Sequence, residues 1–290
     1  MNGEINSGMI PFSVTNLNLS SGRHPIPSGC IPTSVVTLSI DFKCNDVVIP
    51  HSVKHLTLPK FNQDILTFIP LSVTHLSFGD IFNKHISSNI LSSSVVKISF
   101  GNLFNQKIIE GCFPSSVTEI SFGLRFNQTL NKGVLPPSLT KLSFSTAYTQ
   151  LIQPEAIPSV THLVIGERYP HNLDGFFDDC PNIHTLILHN PSIFQKPPAR
   201  KLKEIIVYVS KEFLHPSHVM LRPPPGMTSI LKSASTVTID LNGQYTIQSR
   251  MLDDLSVVIM SSSPFHIGFL HLYHANSSQQ SIYVCSHEDD

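Results

Sequence analysis

Apolar and polar residues recur along this chain in a fixed phase, so the repeat is read before any single motif. We take as origin the Ser of a recurring Ser-Val-Thr-like unit. Origins fall at Ser13, Ser34, Ser52, Ser72, Ser94, Ser116, Ser138 and Ser159, with weaker copies at Asn182 and Lys201, so about ten copies follow one another at intervals of 18–23 residues. One step after the origin stand Val14, Val35, Val53, Val73, Val95, Val117 and Leu139. Four steps after it the column reads Leu17, Leu38, Leu56, Leu76, Ile98, Ile120 and Leu142, and six steps after it Leu19, Ile40, Leu58, Phe78, Phe100, Phe122 and Phe144. The last two columns are two residues apart, the period of a strand. No helical period persists, and Pro or Gly interrupts every copy. A lone copy cannot bury such columns, so neighbouring copies must stack, with parallel strands ~4.8 Å apart. The predicted fold is mainly β: a right-handed parallel solenoid over residues 8–210.

Two further columns complete the unit. Phe82, Phe104, Phe126 and Tyr148 lie ten steps after the origin, and Ile86, Ile108, Leu130 and Ile152 lie fourteen. The stretch from Pro11 to Ser210 resembles the FNIP-repeat family, through Phe61-Asn62-Gln63, Phe82-Asn83-Lys84, Phe104-Asn105-Gln106 and Phe126-Asn127-Gln128, each between an SVTxLxF-like unit and the next Pro-x-Ser. The resemblance implies a curved solenoid like that of leucine-rich repeats and an interaction role, and it carries no catalytic residues. The Asn is lost after Asn127, where Thr149 and Pro170 stand, and the F-box segment common in such proteins is not visible.

The phenylalanines are expected to stack into an internal spine. A buried amide can satisfy backbone groups where the chain leaves the strand, so Asn62, Asn83, Asn105 and Asn127 are expected as a buried ladder, with Asn102 off it. Asn89, Gly111 and Gly133 share one later phase, and these residue types tolerate left-handed backbone.

Regularity fades near residue 210. Residues 211–290 are expected to be a β-rich cap or continuation. Arg222-Pro223-Pro224-Pro225-Gly226 reads as a linker or bend. Thr236–Leu241 and Gln244–Ile247 flank Asn242-Gly243, the signature of a two-residue hairpin turn. Further strands are expected at Val257–Met260, Phe269–Tyr273 and Ser281–Cys285.

Composition narrows the chemistry. Only 13% of residues are charged and the net charge is −1, which argues against a nucleic-acid partner. No apolar run suits a membrane span, and the first residues, with Glu4, lack the pattern of a secretory signal. Cys30, Cys44, Cys112, Cys180 and Cys285 are odd in number without a CxxC, as expected of thiols in a reducing cytosol or nucleus; the expected localisation is cytoplasmic. His266, His271, His274, Cys285 and His287 are the nearest approach to a metal set, but His271 and His274 would point to opposite faces of a strand. No phosphate loop, nucleophile elbow or HExxH motif occurs. We therefore expect no catalytic residues, cofactor or metal.

The informative column lies three steps after the origin: Asn16, Thr37, His55, His75, Lys97, Glu119, Lys141, His162, Thr185 and Glu204. Alternation turns it outward, beside a column of Ser39, Thr57, Ser77, Ser99, Ser121 and Ser143. Its charge and size vary while the scaffold columns stay constant. His55, His75, Lys97, Glu119, Lys141 and His162 are thus the candidate protein-binding residues on a concave face, against the alternative of plain solvated sheet. The expected function is a non-catalytic interaction scaffold with a protein partner. The alternatives are the substrate-recognition subunit of a ubiquitin ligase, which would need an adaptor-binding helical module, and a small-ligand binder or enzyme, which would need a closed pocket.

Overall fold

The computed structural model describes residues 6–20, 26–41, 47–63, 69–194, 196–197, 199–208, 230, 233–241, 245–251, 256–261 and 267–271. The chain forms two compact units, residues 1–159 and 160–290. The first is a β-solenoid with one short strand per coil: β1 (Asn16–Leu19), β2 (Thr37–Ile40), β3 (His55–Leu58), β4 (His75–Phe78), β5 (Lys97–Ser99), β6 (Glu119–Ser121) and β7 (Lys141–Ser143). Each strand pairs in parallel with the next, and the register joins residues of equal phase, such as Leu56 to Leu76 and Ile98 to Ile120.

Local chemistry explains why the strand begins where it does. A β-turn, closed by a hydrogen bond from the amide one step after the origin to the carbonyl two steps before it, delivers the chain: Val53 to Pro50, Val73 to Pro70 and Val117 to Pro114, each 3.1 Å. The next carbonyl then accepts two amides from the following coil. Val96 O takes Thr118 N at 2.8 Å and Glu119 N at 3.2 Å, and Thr118 O takes Thr140 N and Lys141 N, both at 2.9 Å. The origin serine adds a rung of its own. Ser34, Ser52, Ser94, Ser116 and Ser138 each donate their hydroxyl, at 2.6–2.8 Å, to the carbonyl beside the origin of the preceding coil.

The core matches the columns. Val35, Val53, Val73, Val95 and Val117, then Leu38, Leu56, Leu76, Ile98, Ile120 and Leu142, are fully or almost fully buried. The expected Phe spine is present as two interleaved columns. Within a coil, Phe100 stacks on Phe104 at 4.0 Å and Phe122 on Phe126 at 3.7 Å; between coils Phe100 and Phe122 are 5.5 Å apart and Phe104 and Phe126 6.1 Å. Offset stacking of this kind adds about 0.5–1.5 kcal/mol per pair to simple burial.

The Asn ladder forms, with a correction to its burial. Each side-chain Oδ1 accepts the backbone amide of the next rung: Asn62 from Asn83 at 3.0 Å, Asn83 from Asn105, Asn105 from Asn127 and Asn127 from Thr149, the last three at 2.9 Å. The expectation of buried side chains is not met: Asn62 and Asn83 are exposed, Asn105 and Asn127 half-buried. The rung needs an acceptor at a turn near the surface, where water reaches the amide's other edge. At Thr149 the rung is received through the backbone amide like the others, and its hydroxyl accepts from Asn127 Nδ2 at 3.0 Å.

The left-handed positions are real. Asn89 (φ 59°), Gly111 (φ 78°) and Gly133 (φ 84°) occupy one phase, and Gly8 and Gly29 (both φ 83°) belong to it too. A second glycine column has a different cause. A Cβ on Gly79, Gly101 or Gly123 would collide with the carbonyl of the preceding coil, at Pro59, Gly79 and Gly101 respectively. Only glycine lets adjacent backbones approach this closely.

The second unit continues the pattern with less regular coils. β8 (His162–Ile165), β9 (Thr185–Leu188), β10 (Leu202–Tyr208) and β11 (Ala234–Leu241) pair in parallel. A single helical turn, α1 (Phe176–Asp179), buries Phe177 against Phe194, rings 5.6 Å apart. At the weak origin Lys201 there is no hydroxyl for the serine rung. Arg200 replaces it, donating Nη2 to Ile183 O at 2.6 Å and Cys180 O at 2.8 Å.

From β11 the pairing turns antiparallel, through β12 (Tyr245–Met251), β13 (Ser256–Ser261) and β14 (Ile267–His271). β11 and β12 pair as an antiparallel hairpin, with Leu241 facing Tyr245, while the expected Asn242-Gly243 turn lies outside the described residues. The linker at 222–226, the strand at 281–285 and the division near residue 210 fall outside the described residues. No described helix is long and apolar enough to cross a membrane.

Candidate interaction face

The two-residue alternation of the strands determines which side chains leave the core. Because Leu and Phe of each Leu-x-Phe pair point inward, the residue before Leu and the residue between them point outward. The parallel register then aligns the first outward residue of every strand in the first unit: Asn16, Thr37, His55, His75, Lys97, Glu119 and Lys141 form one row across β1–β7. The serines and Thr57 form a second, half-buried row beside it.

The row is electrostatically organised. Glu119 lies between two lysines, with Lys97 Nζ 3.1 Å from Oε2 and Lys141 Nζ 2.9 Å from Oε1. Each carboxylate oxygen therefore has its own cation. The hydrogen bond from Lys141, reinforced by Lys97, holds the Glu119 carboxyl below its ordinary range despite partial burial. The lysines stay accessible, at 43% and 51% side-chain exposure, against 27% for Glu119. At such exposure the pairs contribute under about 1 kcal/mol each.

At the other end of the row the rings of His55 and His75 stand 4.3 Å apart. Thr74 Oγ1 lies 3.2 Å from Lys54 O, to which it donates, and 2.9 Å from His75 Nδ1. The hydroxyl thus ties the His75 ring to the backbone of the preceding coil. His75 is held below the usual histidine range, chiefly by desolvation, then by His55 and Lys97, with Glu119 acting in the opposite direction.

His162, the sixth candidate, is in the second unit. Its partners in register are Thr185 and Glu204, its Nδ1 is 2.8 Å from Thr161 Oγ1, and its ring meets His184 edge-on at 5.2 Å. Here the second outward row changes character: Val164, Ile187 and Ile206 replace the serines, aligned and half-buried. Beyond them His189 stacks on Tyr208 at 4.7 Å, and burial lowers the His189 pKa against the opposing pull of Glu167. Sequence reasoning missed this stripe. Its signal was the loss of alternation in Leu163-Val164-Ile165, Leu186-Ile187-Leu188 and Ile205-Ile206-Val207.

Among the described residues no three His, Cys, Asp or Glu side chains converge as metal ligands. His266, His274, Cys285 and His287 lie outside them. Cys30, Cys112 and Cys180 are buried thiols, and burial pushes the Cys112 thiol up to about 11, so it stays protonated and unreactive at neutral pH.

With this geometry established, comparison with known proteins adds two findings. The family model for the FNIP Repeat matches three consecutive segments, residues 43–81, 82–125 and 126–168. The fold is similar to that in the crystal structure of CroV588, a novel circular LRR protein structure, with a TM-score of 0.58 and 23% identity over 83% of this chain. The chain spans 42% of that protein's length. No curated protein matches the sequence.

Proposed function

We propose that this chain is a non-catalytic protein-interaction scaffold that binds its partner through the outward residues His55, His75, Lys97, Glu119 and Lys141 of the first unit and His162 of the second. One observation carries the reading. The serine rung, the Asn ladder, the Phe spine and the close-approach glycines each repeat one structural role from coil to coil. The outward row has no such role, and its chemistry changes from coil to coil on a constant backbone. FNIP repeats and a solenoid of leucine-rich-repeat type support an interaction role. In this reading residues 8–210 form the binding array and residues 211–290 cap or continue it; parallel pairing runs on through β11 and turns antiparallel only at β12. The buried thiols suit a reducing, cytoplasmic setting.

The test is comparative capture from native cells with the wild-type chain and the Lys97→Glu/Lys141→Glu variant. The two ion pairs are exposed, so Tm should stay within a few degrees. Reversed charge at an interface is strongly disfavoured, so specific partners should be lost. Retention of every partner by a folded variant would refute the assignment of this face.

A further inference from the structure

We propose that the row across β3–β7 recognises an acidic, extended protein segment lying crosswise over the strands. This rests on the interaction-face reading above. Its ground is the sign and spacing of charge. In the first unit, the outward positions on and just before the strands hold Lys54, Lys97 and Lys141 against the single acid Glu119, with His55 and His75 in the same row. The chain as a whole carries −1, so this face has the opposite sign to its molecule.

Glu119 does not cancel the lysines. It gives one oxygen to each, drawing both ammonium groups toward β6 and presenting them as a pair. An ammonium has three donors, and one contact to Glu119 leaves others available. Lys97 and Lys141 rise from strands two spacings apart, roughly 10 Å, but holding both ammonium groups on one carboxylate brings them within about 8 Å of each other, and an extended chain advances ~3.3 Å per residue. Acids two residues apart, which an extended segment presents on one side at ~6.6 Å, would therefore meet both lysines. The distance from β3 to β7 is about 19 Å, or about six residues. The adjacent row of Ser77, Ser99 and Ser121 is small and hydroxylated, leaving room for a backbone and offering it hydrogen bonds. Nucleic acid fits less well. The row holds no arginine, and polyphosphate binding draws on a larger basic excess.

Fluorescence anisotropy with the full chain tests this, using labelled ten-residue peptides rich in Asp and Glu, matched basic and neutral peptides, and a single-stranded oligonucleotide of equal charge. The acidic peptide should bind best and weaken with salt. Lys97→Gln/Lys141→Gln should weaken it at least tenfold, and Glu119→Gln, which leaves both lysines fully available, should tighten it several-fold. Unchanged melting curves confirm that the variants are folded. Equal binding of acidic and basic peptides, weakening by Glu119→Gln, or equally tight oligonucleotide binding would each overturn the proposal. Preferred binding of neutral or basic peptides, lost on Thr74→Arg, would overturn the acidic partner while preserving the interaction face. If no peptide binds and cellular capture is also insensitive to the row, both readings fall.

Discussion

Replacing Asn105 by alanine removes an acceptor that serves two donors. Asn105 Oδ1 takes the backbone amide of Asn127 at 2.9 Å and Gln128 Nε2 at 3.0 Å. Gln128 is a side chain that can turn to water, and it also reaches Asn105 O at 3.2 Å, so its loss costs little. The Asn127 amide is fixed in a turn. Leaving a buried donor unsatisfied costs about 1–3 kcal/mol; at a half-buried site, where water enters partly, about 1–2 kcal/mol is expected. With a urea m-value of about 3 kcal/mol/M, the denaturation midpoint should fall by roughly 0.5 M. Asn102 is the internal control. It joins the neighbouring coils through its backbone, its amide donating to Asp80 Oδ1 at 3.2 Å and its carbonyl accepting from Arg125. Asn102→Ala should therefore move stability by no more than about 0.5 kcal/mol. Asn105→Asp keeps an acceptor and should fall between the two. Coincident urea curves for Asn105→Ala and Asn102→Ala at equal m-values would refute the ladder as a source of stability.

The two glycine columns should respond differently. Gly101→Ala drives a Cβ into the Gly79 carbonyl and forces two coils apart, for a loss above about 3 kcal/mol, whereas Gly111→Ala meets only Ser88 Cβ at 3.4 Å and costs the left-handed penalty of about 1–2 kcal/mol. Thermal melts should rank them in that order, and the reverse ranking would contradict the close-approach account. His75 should titrate below the ordinary 6.5 by NMR, and Glu119→Gln should lower it further, because Glu119 is the group that raises it against His55 and Lys97. A depressed histidine favours the neutral form on folding. Its stabilising share is thus complete above pH 6.5 and lost as pH falls through the folded value, so His75→Gln should flatten that part of the stability–pH curve. An upward shift of His75 in Glu119→Gln would show the wrong electrostatic neighbour.

The fold was legible because a solenoid writes each inward contact once per coil. Val73, Leu76 and Phe78 recur as Val95, Ile98 and Phe100, and the register pairs residues of equal phase. Asn105 was legible in role but not in depth, since sequence marks a repeated acceptor without saying how far water reaches. The serine rung was hidden by its own regularity: a hydroxyl in constant phase looks like generic small polar surface until its acceptor is seen. Arg200 could not be read at all. It acts one residue before a weak origin, and only the fold brings its guanidinium to Ile183 O. Of the outward row, its membership followed from alternation, whereas the division of Glu119 between Lys97 and Lys141 depends on rotamers that no periodicity encodes.

Nearest-neighbour construction explains why this row is suited to vary. In a solenoid each coil is stabilised mainly by the coils beside it. A change at Gly101, Phe104 or Asn105 acts on a contact that both adjoining coils need, so it breaks the stacking in two directions. A change at Lys97 touches one exposed pair, and the strand beneath it is held by Val96 O, Thr74 O and the buried Ile98, none of which depends on the side chain at 97. The energetic scale differs accordingly: several kcal/mol for a scaffold column against under about 1 kcal/mol for the row. A surface of this kind can hold histidine, lysine and glutamate at successive steps of ~4.8 Å on a single constant backbone. Charge pattern across the coils is then set almost independently of folding, which is the physical condition for a recognition face whose sign opposes that of the rest of the molecule.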